Sequence, residues 1–195
     1  MKRAATELTT DGGARVAASA PVVVSASRAT DIPAFYTGWF FRRLEKGYCA
    51  RTNPFDGRRF FVSFRRMRLV VFRSKHPAPL LPRLDELRER GIGFYFQYTL
   101  NDYGPEGLEP GLPPLDARID TFRRLADRWG PDLAIWRFDP LLLTDRLPPE
   151  ELLRRIERIG DLLRGYTRKL VFSFAGIDRY PRVRHNPVRY GVRAR

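Results

Sequence analysis

Short apolar runs alternate with amphipathic stretches along most of the chain, and this alternation predicts strands that are separated by helices. Five apolar runs have the length of buried strands, at residues 22–27, 69–72, 93–100, 133–138 and 170–174. Four stretches repeat apolar residues at the helical period, at residues 31–46, 79–90, 115–129 and 148–163. Because helical crossovers join parallel strands, this order predicts an α/β protein with about five parallel strands and alternating helices.

Two parts of the chain follow a different pattern. Residues 49–64 predict a β-hairpin or an irregular excursion, and the Asp56-Gly57 pair, which tolerates positive φ, marks its turn. Residues 1–20 are polar and lack the apolar stretch of a secretory signal, so we expect a disordered leader. The sequence thus predicts one barrel-like domain over residues 21–195.

One face of several predicted strands turns polar toward the carboxyl end. The third strand carries Gln97, Thr99 and Asn101 on one face, and the fourth carries Arg137 and Asp139. A strand buried in a two-sided α/β sheet is apolar on both faces, so an open doubly wound sheet fits this pattern less well. The polar face favours a partial (β/α) barrel, similar to a TIM barrel, with a pocket at its carboxyl mouth.

The polar side chains at this mouth are candidate ligand contacts. Arginines and a lysine among them indicate an anionic substrate. Asp139 is the candidate for acid–base catalysis. We predict substrate binding by Ser25, Ser27, Arg28, Asp31, Arg73, Lys75, Gln97, Thr99, Asn101, Arg137 and Ser173.

Structural roles for some of these residues stay open. Arg137 and Asp139 can neutralise each other and join two strands. The hydroxyl-rich turn after the first strand can bind a phosphate at a helix N-terminus, or Thr30 or Asp31 can cap that helix. His76 directly follows the second strand, where it can reach the pocket or serve as a turn residue.

The net charge of +14, carried by 36 basic residues, adds a further class of partner. It predicts either nucleic-acid binding or a solvated basic surface of compositional origin. Most of the aromatic residues are accounted for by core-like positions, which disfavours a stacking platform for single-stranded nucleic acid. No apolar run reaches the roughly 18 residues of a membrane span, so no membrane partner is expected. The single cysteine, Cys49, excludes an internal disulfide and fits a cytoplasmic protein.

Five segments resemble, in order, the landmarks of a bacterial family, the domain of unknown function 1848. These are residues 25–33, 53–55, 71–77, 95–101 and 136–140. The resemblance covers about residues 22–190. Members of this family carry a C-terminal Cys-x3-Cys-x2-Cys cluster, which is similar to the iron–sulfur loop of radical S-adenosylmethionine enzymes and spore photoproduct lyase.

The resemblance implies the substrate-binding body of an iron–sulfur enzyme, similar to radical S-adenosylmethionine enzymes, that acts on an anionic substrate. The cysteine cluster is missing from these 195 residues. We therefore expect a truncated barrel that is inactive alone, with an iron–sulfur cluster and S-adenosylmethionine only if the chain continues. The alternatives are a basic nucleic-acid-binding protein without catalysis and a non-functional remnant. A barrel that stops after its fifth strand leaves an unpaired sheet edge, which predicts self-association.

Overall fold

The structure, a computed structural model, describes residues 5–26, 30–53 and 55–175. Its strands are β1 Ala5–Thr9, β2 Arg15–Ser19, β3 Val23–Ala26, β4 Tyr48–Thr52, β5 Arg59–Ser63, β6 Leu69–Ser74, β7 Gly93–Thr99, β8 Ala134–Leu141 and β9 Leu170–Phe174. Its helices are α1 Ile32–Phe35, α2 Thr37–Lys46, α3 Asp85–Glu89, α4 Leu115–Trp129 and α5 Pro149–Leu162. Of the predicted site residues, Ser27 and Arg28 lie outside the described residues.

The five predicted parallel strands are confirmed. They form one sheet in the order β3-β6-β7-β8-β9, and each neighbouring pair is parallel. The order in the sheet follows the order in the chain, without the reversal that divides a doubly wound sheet. Within the described part of the chain β3 and β9 are the two edges, so the sheet is open there and no closed barrel is found.

One face of this sheet carries the main core, as the sequence pattern predicts. Phe72 of β6 and Phe96 of β7 are fully buried, and their rings stack at 5.0 Å. Tyr98 continues the same face and stacks on Phe122 of α4 at 5.3 Å. Alternation along the strands therefore directs the polar residues of β7 and β8 to the opposite face.

Residues 5–19, which the sequence predicts as part of a disordered leader, form an antiparallel hairpin of β1 and β2. The leader prediction is therefore wrong for these residues. Strand β2 also pairs in parallel with β5, and β5 pairs with β4, so the hairpin completes a second sheet of order β1-β2-β5-β4. Backbone pairing with a distant strand, which a local polar pattern does not reveal, orders this segment.

The predicted helices are present with two changes. The first divides at Tyr36 into α1 and α2, and Gly47, at φ 75°, ends α2 in the left-handed conformation. The predicted helix over residues 79–90 forms a 3₁₀ turn at Leu81–Arg83 followed by the short α3, because Pro82 has no backbone N–H to continue an α-helix. Among the described helices, none has the length and apolar character needed to span a bilayer.

Candidate binding site at the carboxyl edge of the parallel sheet

The strand register brings several of the predicted residues into neighbouring rows. Arg73 of β6 stands beside Gln97 of β7. One row further toward the carboxyl edge, Thr99 of β7 stands beside Arg137 of β8. The parallel register of three strands thus collects polar side chains from segments that are more than twenty residues apart in sequence.

The centre of this site is an ion pair between Arg137 and Asp139. Nη2 of Arg137 donates to Oδ2 of Asp139, and Nη1 donates to Oε1 of Gln97 at 3.3 Å. The hydroxyl of Ser173 on β9 donates to Oδ1 of Asp139. Gln97, Arg137, Asp139 and Ser173 therefore form one chain of hydrogen bonds across three strands. The contact between Arg137 and Asp139 is the neutralising ion pair that the sequence offered as an alternative.

A second cation affects Arg137. Burial in the sheet, followed by the positive charge of Arg73, lowers the pKa of Arg137 below its ordinary value. The side chain of Arg137 is only 18% exposed, and its Nε atom is buried without a hydrogen-bond partner among the described residues. The site thus holds a largely desolvated guanidinium that experiences the field of a second one.

Asn101 acts on the main chain of Asp139. Its side chain is fully buried. The Oδ1 atom accepts a hydrogen bond from the Asp139 backbone N–H at 3.1 Å, and Nδ2 donates to the Asp139 carbonyl oxygen at 3.3 Å. Both ends of the amide are engaged, so Asn101 positions the residue that carries the candidate catalytic carboxylate.

Asp31 joins the start of α1 to the end of β6. Its Oδ1 atom accepts from the backbone N–H of Ala34, which makes Asp31 the N-cap that the sequence offered as an alternative. Its Oδ2 atom accepts from the Ser74 hydroxyl at 2.9 Å and from the Lys75 backbone N–H at 3.0 Å. The carboxylate thus fixes the direction in which β6 leaves the sheet.

The ammonium of Lys75 is engaged by a residue that sequence reasoning missed. Its Nζ donates to Oε1 of Glu109 at 2.7 Å, and Nη2 of Arg118 donates to Oε2 at 3.2 Å. The Glu109 and Arg118 side chains are 1% and 3% exposed. Glu109 lies in a loop without periodicity, whereas Arg118 stands on the apolar stripe of α4, three residues after Leu115. A charged residue on the apolar stripe of a helix is the sequence feature that could have indicated this buried ion pair.

The structure therefore divides the predicted site residues into groups. Gln97, Arg137, Asp139 and Ser173 are linked, with Arg73 and Thr99 in adjacent rows. The side chains of Asp31 and Asn101 make hydrogen bonds to the backbone. The ammonium of Lys75 is paired with the buried carboxylate of Glu109. Ser25 is exposed on β3, beside Val71.

Metal ligation is a separate question, because the family resemblance implies an iron–sulfur cluster. The described residues contain no group of three or more His, Cys, Asp or Glu side chains that could hold a metal ion. Cys49 is the only cysteine of the 195 residues and lies on β4 in the other sheet, where burial raises the pKa of its thiol. One thiol cannot supply the several thiolates of a cluster, so the residues of this chain do not fit that group.

Comparison with known proteins identifies the family. No curated protein and no solved structure matches the chain. A family model described as "Domain of unknown function (DUF1848)" matches residues 23–194, which include every strand of the parallel sheet and exclude the β1–β2 hairpin. The resemblance seen in the sequence is thereby confirmed, and the chain belongs to the DUF1848 family.

Proposed function

We propose that this chain is the substrate-binding body of an enzyme and binds an anionic small molecule at the carboxyl edge of its parallel sheet. The observation that carries the proposal is the electrostatic relation between Arg73 and Arg137. Burial and then the positive charge of Arg73 lower the pKa of Arg137, so the charged form of Arg137 is disfavoured in the free protein. A bound phosphate or carboxylate relieves the repulsion and accepts their hydrogen bonds.

A barrel-like architecture supports this location. The five parallel strands stand in the sheet in the order in which they occur along the chain, so every crossover connects neighbours in the same direction along the sheet. A (β/α) barrel has the same strand order. Barrel enzymes place their sites at the carboxyl ends of the strands. We propose that the polar face of β7 and β8 corresponds to the interior of such a barrel.

Asp139 is the proposed acid–base group of this site. It stands at 17% side-chain exposure, between the Arg137 guanidinium and the Ser173 hydroxyl, and its main chain is held by Asn101. A carboxylate in this setting can accept a proton from a substrate bound to the two arginines. Because the residues present do not fit an iron–sulfur cluster, no step of the proposal passes through one.

Anion titrations with charge variants test the proposal. We expect pyrophosphate to bind in isothermal titration calorimetry, and Arg137→Ala to weaken that binding about tenfold or more. Asp139→Asn should strengthen binding several-fold, because Asp139 competes with the anion for the Arg137 guanidinium. Arg124→Ala, on the exposed surface of α4, is the matched control and should change neither affinity nor melting temperature.

Opposite shifts for the two variants distinguish a ligand site from a structural ion pair. If Arg137→Ala and Asp139→Asn leave binding unchanged and lower the melting temperature equally, the pair only joins strands. Absence of pyrophosphate, phosphate and citrate binding would also contradict the proposal. Tight duplex DNA binding that falls about 10³- to 10⁵-fold between roughly 50 and 200 mM salt would instead support the nucleic-acid alternative.

A further inference from the structure

A concavity lies between the β1–β2 hairpin, α2 and the β4–β5 pair. It is open to solvent on one side and has a volume of about 730 Å³, within the size range of small-molecule sites. Its lining combines residues of the hairpin with aromatic, basic and small side chains, namely Trp39, Arg43, Tyr48, Ala50, Arg59 and Phe61. The hairpin lies outside residues 23–194, so part of this wall is an addition to the family's matched region.

The aromatic part of the lining is held in place by the fold. Tyr48 is buried, its hydroxyl accepts a hydrogen bond from the Asp11 backbone N–H at 2.8 Å, and its ring lies 6.4 Å from that of Phe61. Trp39, on α2, is half-buried at the cavity. Aromatic side chains fixed in this way offer planar apolar surfaces to a ring.

The charged part of the lining is net positive. Arg43 and Arg59 contribute two cations and Asp11 one anion. Asp11 already accepts a hydrogen bond from Lys46 at 2.7 Å, and Arg43 lies 3.6 Å away, beyond hydrogen-bond distance. The Arg59 guanidinium stands 5.5 Å from the centroid of the Phe61 ring. A cation beside an aromatic face is suited to a ligand in which a ring adjoins a negative group.

We propose that this cavity binds a planar aromatic anion of the chemical class of a nucleoside monophosphate. The ring packs against the aromatic walls formed by Trp39 and Phe61, and Arg43 and Arg59 bind the phosphate. The small residues Gly12, Ala14 and Ala50 leave the room that the ring occupies. The strands that line this cavity belong to a different sheet from the strands of the carboxyl-edge site.

Calorimetric titration of the full chain with adenosine 5′-monophosphate tests the site. We expect binding with a Kd below about 1 mM, and at least tenfold weaker binding of adenosine alone and of inorganic phosphate alone. Arg59→Gln and Trp39→Leu should each weaken binding of the nucleotide about tenfold or more. Arg51→Gln is the matched control: Arg51 is exposed on the same sheet, but it lies on β4 one residue from Ala50 and so points to the other face.

Several results would overturn the inference. If inorganic phosphate binds as tightly as the nucleotide and Trp39→Leu has no effect on either affinity, the cavity binds anions but not the aromatic ring. If Arg51→Gln weakens nucleotide binding as much as Arg59→Gln does, the nucleotide is attracted by the general positive charge of the surface and not by this cavity. A single-stranded oligonucleotide that binds far more tightly, and loses affinity in the same variants, would make the surface a nucleic-acid interface. No binding of adenosine, guanosine or uridine monophosphate would also reject the site.

Arg137→Ala should leave nucleotide binding to the cavity unchanged, which separates this test from that of the carboxyl-edge site.

Discussion

Asn101 holds Asp139 by its main chain and leaves the Asp139 carboxylate to Arg137 and Ser173. The two hydrogen bonds of the buried amide satisfy an N–H and a carbonyl at the end of β8, where the register with β9 shifts between Phe138 and Leu141. Buried backbone groups need such partners wherever strand pairing is interrupted. A side chain from the neighbouring strand thereby determines where the candidate catalytic carboxylate lies.

Replacement of Asn101 should lower stability more than replacement of its buried neighbour. Asn101→Ala leaves the N–H and carbonyl groups of Asp139 unpaired, at a cost of about 1–3 kcal/mol in the free energy of unfolding. Urea denaturation measures this cost. Thr99→Val is the control, because the Thr99 side chain is also buried but makes no hydrogen bond to a described residue. Equal losses in the two variants would contradict the positioning role of Asn101.

The buried ion pair of Glu109 and Arg118 provides a second prediction. Glu109→Gln removes the charge that faces the Arg118 guanidinium, so we expect a loss of about 3–5 kcal/mol in the free energy of unfolding. Arg118→Met combined with Glu109→Gln should cost less than the sum of the two single variants. Asp120→Asn, which breaks the exposed pair with Arg124, should cost no more than about 1 kcal/mol. Additive losses in the double variant would mean that the two residues act separately.

Trp136 tests the assignment of strand faces. Its side chain is buried, packs against Phe138 and donates from Nε1 to the Leu100 carbonyl oxygen at 3.0 Å. Trp136→Ala should therefore cost about 3–5 kcal/mol in the free energy of unfolding, measured by chemical denaturation. Trp39→Ala, in the half-buried wall of the cavity at the second sheet, should cost less. A neutral result for Trp136→Ala would place its ring on the solvent side of the sheet.

Stability at acid pH should depend on Asp85. The hydrogen bond from Trp129 Nε1, at 3.1 Å, and then the contact with Arg128 lower the pKa of Asp85 below its ordinary value of 3.8. A lowered pKa in the folded state stabilises the protein above about pH 4, and this contribution disappears as the pH falls through the folded-state pKa. Between about pH 5 and pH 3, wild type should therefore lose more stability in urea titrations than Asp85→Asn. Identical pH dependence in the two proteins would contradict this.

Local patterns in the sequence were sufficient to predict the elements of the parallel sheet. The stripe of α4 predicted its bounds at Leu115–Trp129, and the apolar run of β9 predicted Leu170–Phe174. Alternation in β7 correctly placed Phe96 and Tyr98 in the core. These features depend on neighbours two to four positions apart, whose periods of 2.0 and 3.6 residues can be read directly from a sequence.

Contacts between distant segments were decided by the tertiary structure alone. The order of the hairpin at residues 5–19 depends on pairing between β2 and β5, some forty positions apart. Asn101 became a positioning residue because β8 ends beside it, and Lys75 meets Glu109 only after a long loop folds back. Charge and polarity in the sequence marked where a site could form. Which groups remain available to a ligand was decided by register and burial, because both arise only when segments far apart in the chain come into contact.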